Sequence, residues 1–238
     1  MSKIVVNQIS KSFHQQKVLD DISFSVEKGE IIGIIGASGS GKTTLIQCML
    51  GIQKSDHGNV TINDQLMPNL NALQHIGYMA QSDALYDDMT GLEHLKFYGN
   101  IYKLKKNDLN LAIERVGEMT DLTPHLKKRV AHYSGGMKRR LSLAISLLHQ
   151  PDLIILDEPT IGIDPILKRK IWQSFHALNA QGTTLIITTH IMDEAEACDK
   201  LLLLYNNKMI GFGSPARLKA HYQVESVEDI FIKVGEMK

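Results

Sequence analysis

Gly36-Ala37-Ser38-Gly39-Ser40-Gly41-Lys42-Thr43-Thr44 constrains this chain more than any other stretch. The apolar run Ile31-Ile32-Gly33-Ile34-Ile35 leads into it, and Leu45-Ile46-Gln47-Cys48-Met49-Leu50, with helical periodicity, follows it. A buried strand, a glycine turn and a helix start are thus written in order. The turn fits G-x-x-x-x-G-K-[ST], the phosphate-binding P-loop. Its glycines let the backbone curl until successive N–H groups point inward, and the helix adds the positive end of its dipole. Lys42 suits the outer phosphates as a point charge, and the Thr43 hydroxyl suits Mg²⁺. A glycine-rich turn with a stray lysine needs neither the strand before nor the helix after. The pattern predicts a chain that binds a nucleoside triphosphate.

Composition weighs on the partners of such a chain. Lys+Arg and Asp+Glu both total 26, so there is no global basic field of the kind nucleic-acid binders carry. The length, 238 residues, admits one large α/β domain or two small ones. Cys48 and Cys198 lack metal-type spacing and read as ordinary buried thiols of a reducing compartment. Met1-Ser2-Lys3-Ile4-Val5-Val6-Asn7 has no apolar signal-peptide core. The longest apolar runs, such as Leu201-Leu202-Leu203-Leu204, fall far short of the ~20 residues that span a bilayer. The expected location is cytoplasmic, and any work at a membrane needs another chain to carry this one there.

Strands are expected at Lys3 to Asn7, Ile22 to Glu27, Glu30 to Ile35, Val60 to Ile62 and His75 to Ala80, the last ending at Gln81. From Thr90 to Gln150 the apolar spacing is helical, with no convincing strand, so this stretch reads as a helical insert in an α/β core. Strands resume at Leu153 to Leu156 and Thr184 to Thr188, nearly all apolar as parallel strands covered on both faces are, with a helix from Ile166 to Ala180 between them. Lys200 to Tyr205 and Lys208 to Gly213, joined by Asn206-Asn207, predict a hairpin. Val227 to Val234 predicts an amphipathic helix.

Leu153-Ile154-Ile155-Leu156-Asp157-Glu158-Pro159 places two carboxylates at the end of a buried strand, where charge is costly unless it meets a cation or does chemistry. Asp157 suits Mg²⁺, directly or through water, and Glu158 suits a general base on an attacking water. An acidic turn after a strand is the plainer alternative. In Tyr133-Ser134-Gly135-Gly136-Met137-Lys138-Arg139-Arg140-Leu141, Ser134 is a good N-cap ahead of an amphipathic helix. Exposed N–H groups, a hydroxyl and a helix dipole make a second anion site, although on geometry alone a simple capped helix is the favoured reading.

Ser-Gly-Gly followed by a basic helix, between a P-loop and an Asp-Glu strand, resembles the signature of the ABC (ATP-binding cassette) ATPases, and the resemblance covers essentially the whole chain. It implies an α/β fold: a P-loop NTPase (RecA-like) core with an antiparallel β subdomain and an inserted α-helical subdomain. Over 1–238 it implies a single ATPase domain. The catalytic core would lie at about 1–85 and 150–220, the helical subdomain at about 86–149, and a helical tail at about 221–238. It further implies nucleotide contacts from Gly36, Ala37, Ser38, Gly39, Ser40, Gly41, Lys42, Thr43, Thr44 and Asp157, with Phe13 stacking on adenine. Gln81 resembles the Q-loop glutamine, which touches Mg²⁺ and the attacking water, making Thr43, Gln81 and Asp157 the metal set. Asp164, in Gly162-Ile163-Asp164-Pro165, resembles the D-loop aspartate and also reads as a helix N-cap. His190 resembles the switch histidine that bonds the γ-phosphate, joining Glu158 and Gln81 as catalytic residues.

ATP and Mg²⁺ are the implied ligands. The implied partners are integral membrane permease subunits and a second cassette, identical or paralogous, paired head to tail. Ser134, Gly135, Gly136 and Met137 would then meet the other chain's nucleotide. Tyr133 and Met137 stand where the commonest signature has Leu and Gln; with the basic residues that follow, and Glu225 to Phe231, they resemble cassettes serving ABC-2-type exporters. The expected place is the inner face of the cell membrane, peripherally. Ala84 to Tyr98 is the expected docking stripe, with helical-lobe core as the alternative. A soluble cassette acting on nucleic acid or the ribosome is the competing function. Balanced charge, a single cassette and the lack of a coiled-coil insert all weigh against it. A GTPase switch or small-molecule kinase is disfavoured, because Asn206-Asn207-Lys208-Met209 lacks the guanine-reading Asp and neither class explains Ser134 to Met137.

Overall fold

The computed structural model describes residues 2–236. β1 (Ser2–Phe13) and β2 (Gln16–Glu27) form a long hairpin, and β3 (Ile31–Ile35) runs into the glycine loop and α1 (Lys42–Leu50). β4 (His57–Ile62), β5 (Gln65–Leu66), the short α2 (Leu70–Leu73) and β6 (Ile76–Met79) follow. Next come α3 (Gly91–Ile101), α4 (Lys106–Met119) and α5 (Gly135–Leu147), with 3₁₀ turns at Thr123–His125 and Val130–His132. β7 (Leu153–Asp157), α6 (Pro165–Ala180), β8 (Thr184–Thr189) and α7 (Met192–Glu196) succeed them. β9 (Lys200–Tyr205), β10 (Lys208–Gly213), α8 (Pro215–Tyr222) and α9 (Val227–Glu236) complete the order. Packing divides the chain into one unit of residues up to 73 and from 186 on, and another of residues 74–185.

In the first unit an antiparallel sheet runs β2-β1-β4-β5. Its inward residues alternate along the strands: Ile4, Val6, Ile22, Phe24 and Val26 are all buried. The β1–β2 ladder extends well past the alternating residues, to Ser12↔Lys17 and Phe13↔Gln16. Main-chain pairing needs no apolar side chains, so the polar segment Lys11 to Lys17 continues the strands. Asp56 holds it, accepting from Lys11 Nζ at 2.8 Å and from the Ser12 amide at 2.6 Å.

β9 lies antiparallel to β10 and parallel to β3, with Ile32↔Lys200 through Ile35↔Leu203 in register. Ile31, Ile32, Ile34, Ile35 and Leu201 to Leu204 are all buried, as parallel strands covered on both faces require. Asn206 and Asn207, at φ 46° and 67°, make the turn between β9 and β10. Successive left-handed residues match a two-residue turn to the strand twist, and Asn tolerates that conformation. Asn207 Nδ2 also donates to the Lys17 carbonyl, tying this hairpin to the first one. Cys48 and Cys198 are free and buried, and burial pushes both thiols up, Cys48 to about 11.

In the second unit β6 and β7 are parallel, Ile76↔Leu153 through Met79↔Leu156. Leu95 of α3, Ile113 and Val116 of α4, and Leu141, Ala144 and Ile145 of α5 are buried at the helical spacing. A capping box starts α3: Thr90 Oγ1 accepts from the Glu93 amide, and Glu93 Oε2 accepts from the Thr90 amide. The Ala84 to Tyr98 stripe divides residue by residue. His94 is fully buried, its Nε2 accepting from the Tyr86 amide at 2.9 Å, whereas the Tyr86 and Phe97 rings face solvent. Among the described residues no helix is long and apolar enough to cross a membrane.

Candidate functional site

In the first unit the glycine loop follows β3. Gly36 closes tightly: a Cβ there would collide with Ser40 Oγ and come 2.5 Å from the Leu204 carbonyl oxygen. Gly41, at φ 99°, is the N-cap of α1, and no side chain caps that helix. Lys42 Nζ donates to the Gly36 carbonyl at 2.8 Å and the Ala37 carbonyl at 3.1 Å, so the lysine is folded across its own loop. Ser40 Oγ is buried without a hydrogen-bond partner. A buried hydroxyl left in that state is costly, and an oxygen-rich anion in the loop would satisfy it. Ala37, Ser38 and Gly39 are exposed along the rim, and Thr43 and Thr44 are half-buried at the start of α1. The orphaned hydroxyl, the helix start and the ammonium together fit a polyphosphate.

Two further expected residues belong to this unit. Phe13 ends β1 with 41% of its surface exposed and with Lys11 Nζ over its ring, 5.3 Å from the centroid. His190 follows β8 and is exposed. Its neighbours are fixed: Thr189 Oγ1 donates to Glu194 Oε2 at 2.6 Å and accepts from the Ile191 amide at 3.0 Å.

In the second unit the β6–β7 register sets Gln81 and the carboxylate pair at the same strand ends, because Met79 pairs with Leu156 and Asp157 ends β7. Carboxyl ends of parallel strands are where α/β sheets place their chemistry. Asp157 is 1% exposed, and Glu158 takes φ 53°, a left-handed conformation that costs a non-glycine residue roughly 1–2 kcal/mol.

A residue that the sequence did not single out holds this arrangement. Arg139, in the second turn of α5 and 6% exposed, donates through Nη1 to the Ala80 and Gln81 carbonyls, both at 2.9 Å. Through Nε and Nη2 it donates to the Glu158 carbonyl at 3.2 and 2.8 Å, and Nη2 also reaches the Asp157 carbonyl. Hydrogen bonds from a charged donor contribute about 1.5–3 kcal/mol each, enough to offset the strain at Glu158. Burial pushes the guanidinium's pKa down, and Asp83 and Asp157 pull it back up. The only sequence signal for Arg139 was its place in a basic helix, which reads equally as a solvated face.

Ser134 caps α5, its hydroxyl accepting from the Met137 amide at 3.2 Å. Around Gly135 there is open space, while a Cβ on Gly136 would lie 2.8 Å from the Gly162 carbonyl oxygen. Tyr133, in place of the commoner leucine, is buried and donates to the His125 carbonyl at 2.8 Å. Asp164 caps α6, accepting from the Ile166 and Leu167 amides at 3.2 and 3.0 Å. The second unit therefore gathers Gln81, Asp157 and Glu158 around Arg139 and brings the 135–137 turn against Gly162.

Residues 19–161 match the family model described as ABC transporter. A probable multidrug ABC transporter ATP-binding protein of Escherichia coli is 37% identical over 91% of this chain, which spans 38% of that relative's length. The linearmycin resistance ATP-binding protein of Bacillus subtilis is 37% identical over 88% of this chain and 68% of its own. A solved ATP-binding subunit of an ABC transporter superposes with a TM-score of 0.91 and 26% identity, covering 98% of this chain and all of that one.

Proposed function

The chain belongs to the ABC transporter ATP-binding family, and on that premise we propose that it binds and hydrolyses ATP as the motor subunit of a transporter whose membrane-spanning subunits are separate chains. The observation that carries this reading is the glycine loop, with the orphaned hydroxyl of Ser40 and the uncapped start of α1. Gly36 to Thr44 hold the phosphates by main-chain amides, Lys42 exchanges its loop carbonyls for phosphate oxygens, and Phe13 stacks on the base.

Mg²⁺, when bound, neutralises charge on the outer phosphates. Thr43 offers a hydroxyl oxygen, and Gln81 and Asp157 offer carboxamide and carboxylate oxygens, each a donor of the kind that hard cation takes. Glu158 acts as general base for water, and His190 donates to the γ-phosphate.

Ser134 to Met137 form a second anion clamp, with Ser134 exposed and open space around Gly135. In our reading this clamp grips the nucleotide of a second copy or a paralogous cassette, the two chains pairing head to tail, with Asp164 also at that interface. Bound ATP then favours the closed pair because its γ-phosphate interacts with both chains in that state alone. Hydrolysis removes the preference and the pair reopens. The exposed Tyr86 and Phe97 rings are the proposed contact with the permease, on the inner face of the cell membrane. Tyr133, Met137 and the basic residues after them support export, as do the resistance and multidrug names of the relatives.

Ser134→Arg tests the second clamp. ATP affinity of the lone chain should stay within about threefold of wild type, because no loop residue is touched. Turnover should fall on the order of 10²–10³-fold, as when preorganised donors are lost. Wild-type turnover in this variant would remove the clamp from the mechanism.

A further inference from the structure

Arg139 makes a set of bonds that its place in a basic helix gives no reason to expect. Its one guanidinium reaches two consecutive carbonyls after β6, those of Ala80 and Gln81, and two consecutive carbonyls at the end of β7, those of Asp157 and Glu158. Asp83, which receives the Ser142 hydroxyl at 2.7 Å, lies 3.5 Å from Nη1 on the same side. From this geometry we propose that Arg139 is a positioning residue for hydrolysis, fastening the signature helix to the two segments that carry Gln81 and Glu158. The inference rests on the hydrolytic reading above.

The chemistry of the side chain explains why an arginine is needed. A guanidinium is a rigid planar fork with five N–H donors, so a single group serves two separate backbone segments at once. The Glu158 carbonyl takes two of those contacts while its residue sits at φ 53°. Losing them removes two of the contacts that oppose relaxation of Glu158 toward ordinary backbone angles, a relaxation that would swing its carboxylate. The Gln81 side chain depends on the same fork through its own carbonyl. None of these bonds involves residues 36–44, so the glycine loop's share of nucleotide affinity should not depend on Arg139. The fork also gives the cap at Ser134 a mechanical link to Glu158: four helical residues, 135–138, separate the N-cap of α5 from Arg139. Movement of the signature turn thereby reaches the base and the glutamine together.

The test compares Arg139→Lys and Arg139→Gln with Arg140→Gln in the full chain. Arg140 is the control because its guanidinium serves the Thr120 and Asp121 carbonyls, at 3.1 and 2.8 Å, away from the strand ends. Steady-state hydrolysis and amide hydrogen exchange are the readouts. Misplacement of reacting groups predicts kcat losses of about tenfold for Arg139→Lys and on the order of a hundredfold for Arg139→Gln, with KM for ATP within about threefold. Exchange should quicken over 80–83 and 157–161 and stay unchanged over 36–44, and Arg140→Gln should retain wild-type values throughout. Should Arg139→Gln fail to fold, the lysine variant, which keeps the cation and most of the volume, carries the test through its own tenfold loss. Wild-type kcat in Arg139→Lys, a loss expressed in KM, or unchanged exchange at both segments would overturn the role of Arg139. A wild-type chain without ATPase activity would instead refute the hydrolytic reading, and the inference with it.

Discussion

Glu158→Gln should lower ATP turnover by on the order of 10²–10⁴-fold, the usual contribution of a general base, while ATP still binds. The substitution removes one negative charge and the proton acceptor but keeps the shape. Glutamine faces the same left-handed strain at φ 53° that glutamate does, so the Arg139 bonds to this residue's carbonyl should persist. With hydrolysis blocked and the γ-phosphate retained, the ATP-bound pair should accumulate. Size-exclusion chromatography with ATP and Mg²⁺ should then show a dimer that the wild-type chain forms only transiently. Hydrolysis at the wild-type rate would remove Glu158 as the base, and a variant that stayed monomeric with ATP bound would remove the paired closed state.

Lys42→Ala should weaken ATP binding by about one to two orders of magnitude in Kd. The estimate follows from the loss of charge-assisted hydrogen bonds worth about 1.5–3 kcal/mol, at 1.4 kcal/mol per decade. The substitution acts twice in this loop. It removes the cation meant for the outer phosphates, and it takes away the donor that the Gly36 and Ala37 carbonyls share. The loop should therefore also lose order, seen as faster amide exchange over 36–44. Fluorescent-nucleotide titration measures the affinity, and unchanged tight binding would contradict the phosphate role of the loop.

Local signals were the ones legible in the sequence. The glycine loop announced itself because strand, turn and helix start are contiguous there. Asn206-Asn207 predicted the β9–β10 turn from the conformational tolerance of two residues. Ser134 declared the start of α5, and the structure puts its hydroxyl on the Met137 amide. Ser214-Pro215 carried an equally readable helix start, with Ser214 accepting from the Arg217 amide, yet α8 went unforeseen. The extension of β1 and β2 through polar residues was hidden because main-chain pairing leaves no periodic trace in exposed strands. Gln81 and His190 are single polar residues after strands, and only the family resemblance distinguished them from surface. Arg139 was illegible for a different reason. Its bonds reach residues 18 and 19 positions away along the chain, and 58 and 59 positions away in the other direction, so no window of sequence contains them.

The central claim is that two chains share each ATP during hydrolysis, and the most direct measurement is turnover per chain as the full-length protein is diluted. Shared sites predict that turnover per chain rises with protein concentration and falls toward zero on dilution, with a sigmoidal dependence on ATP. Turnover per chain that stayed constant into the range where the protein sediments as a monomer would contradict it.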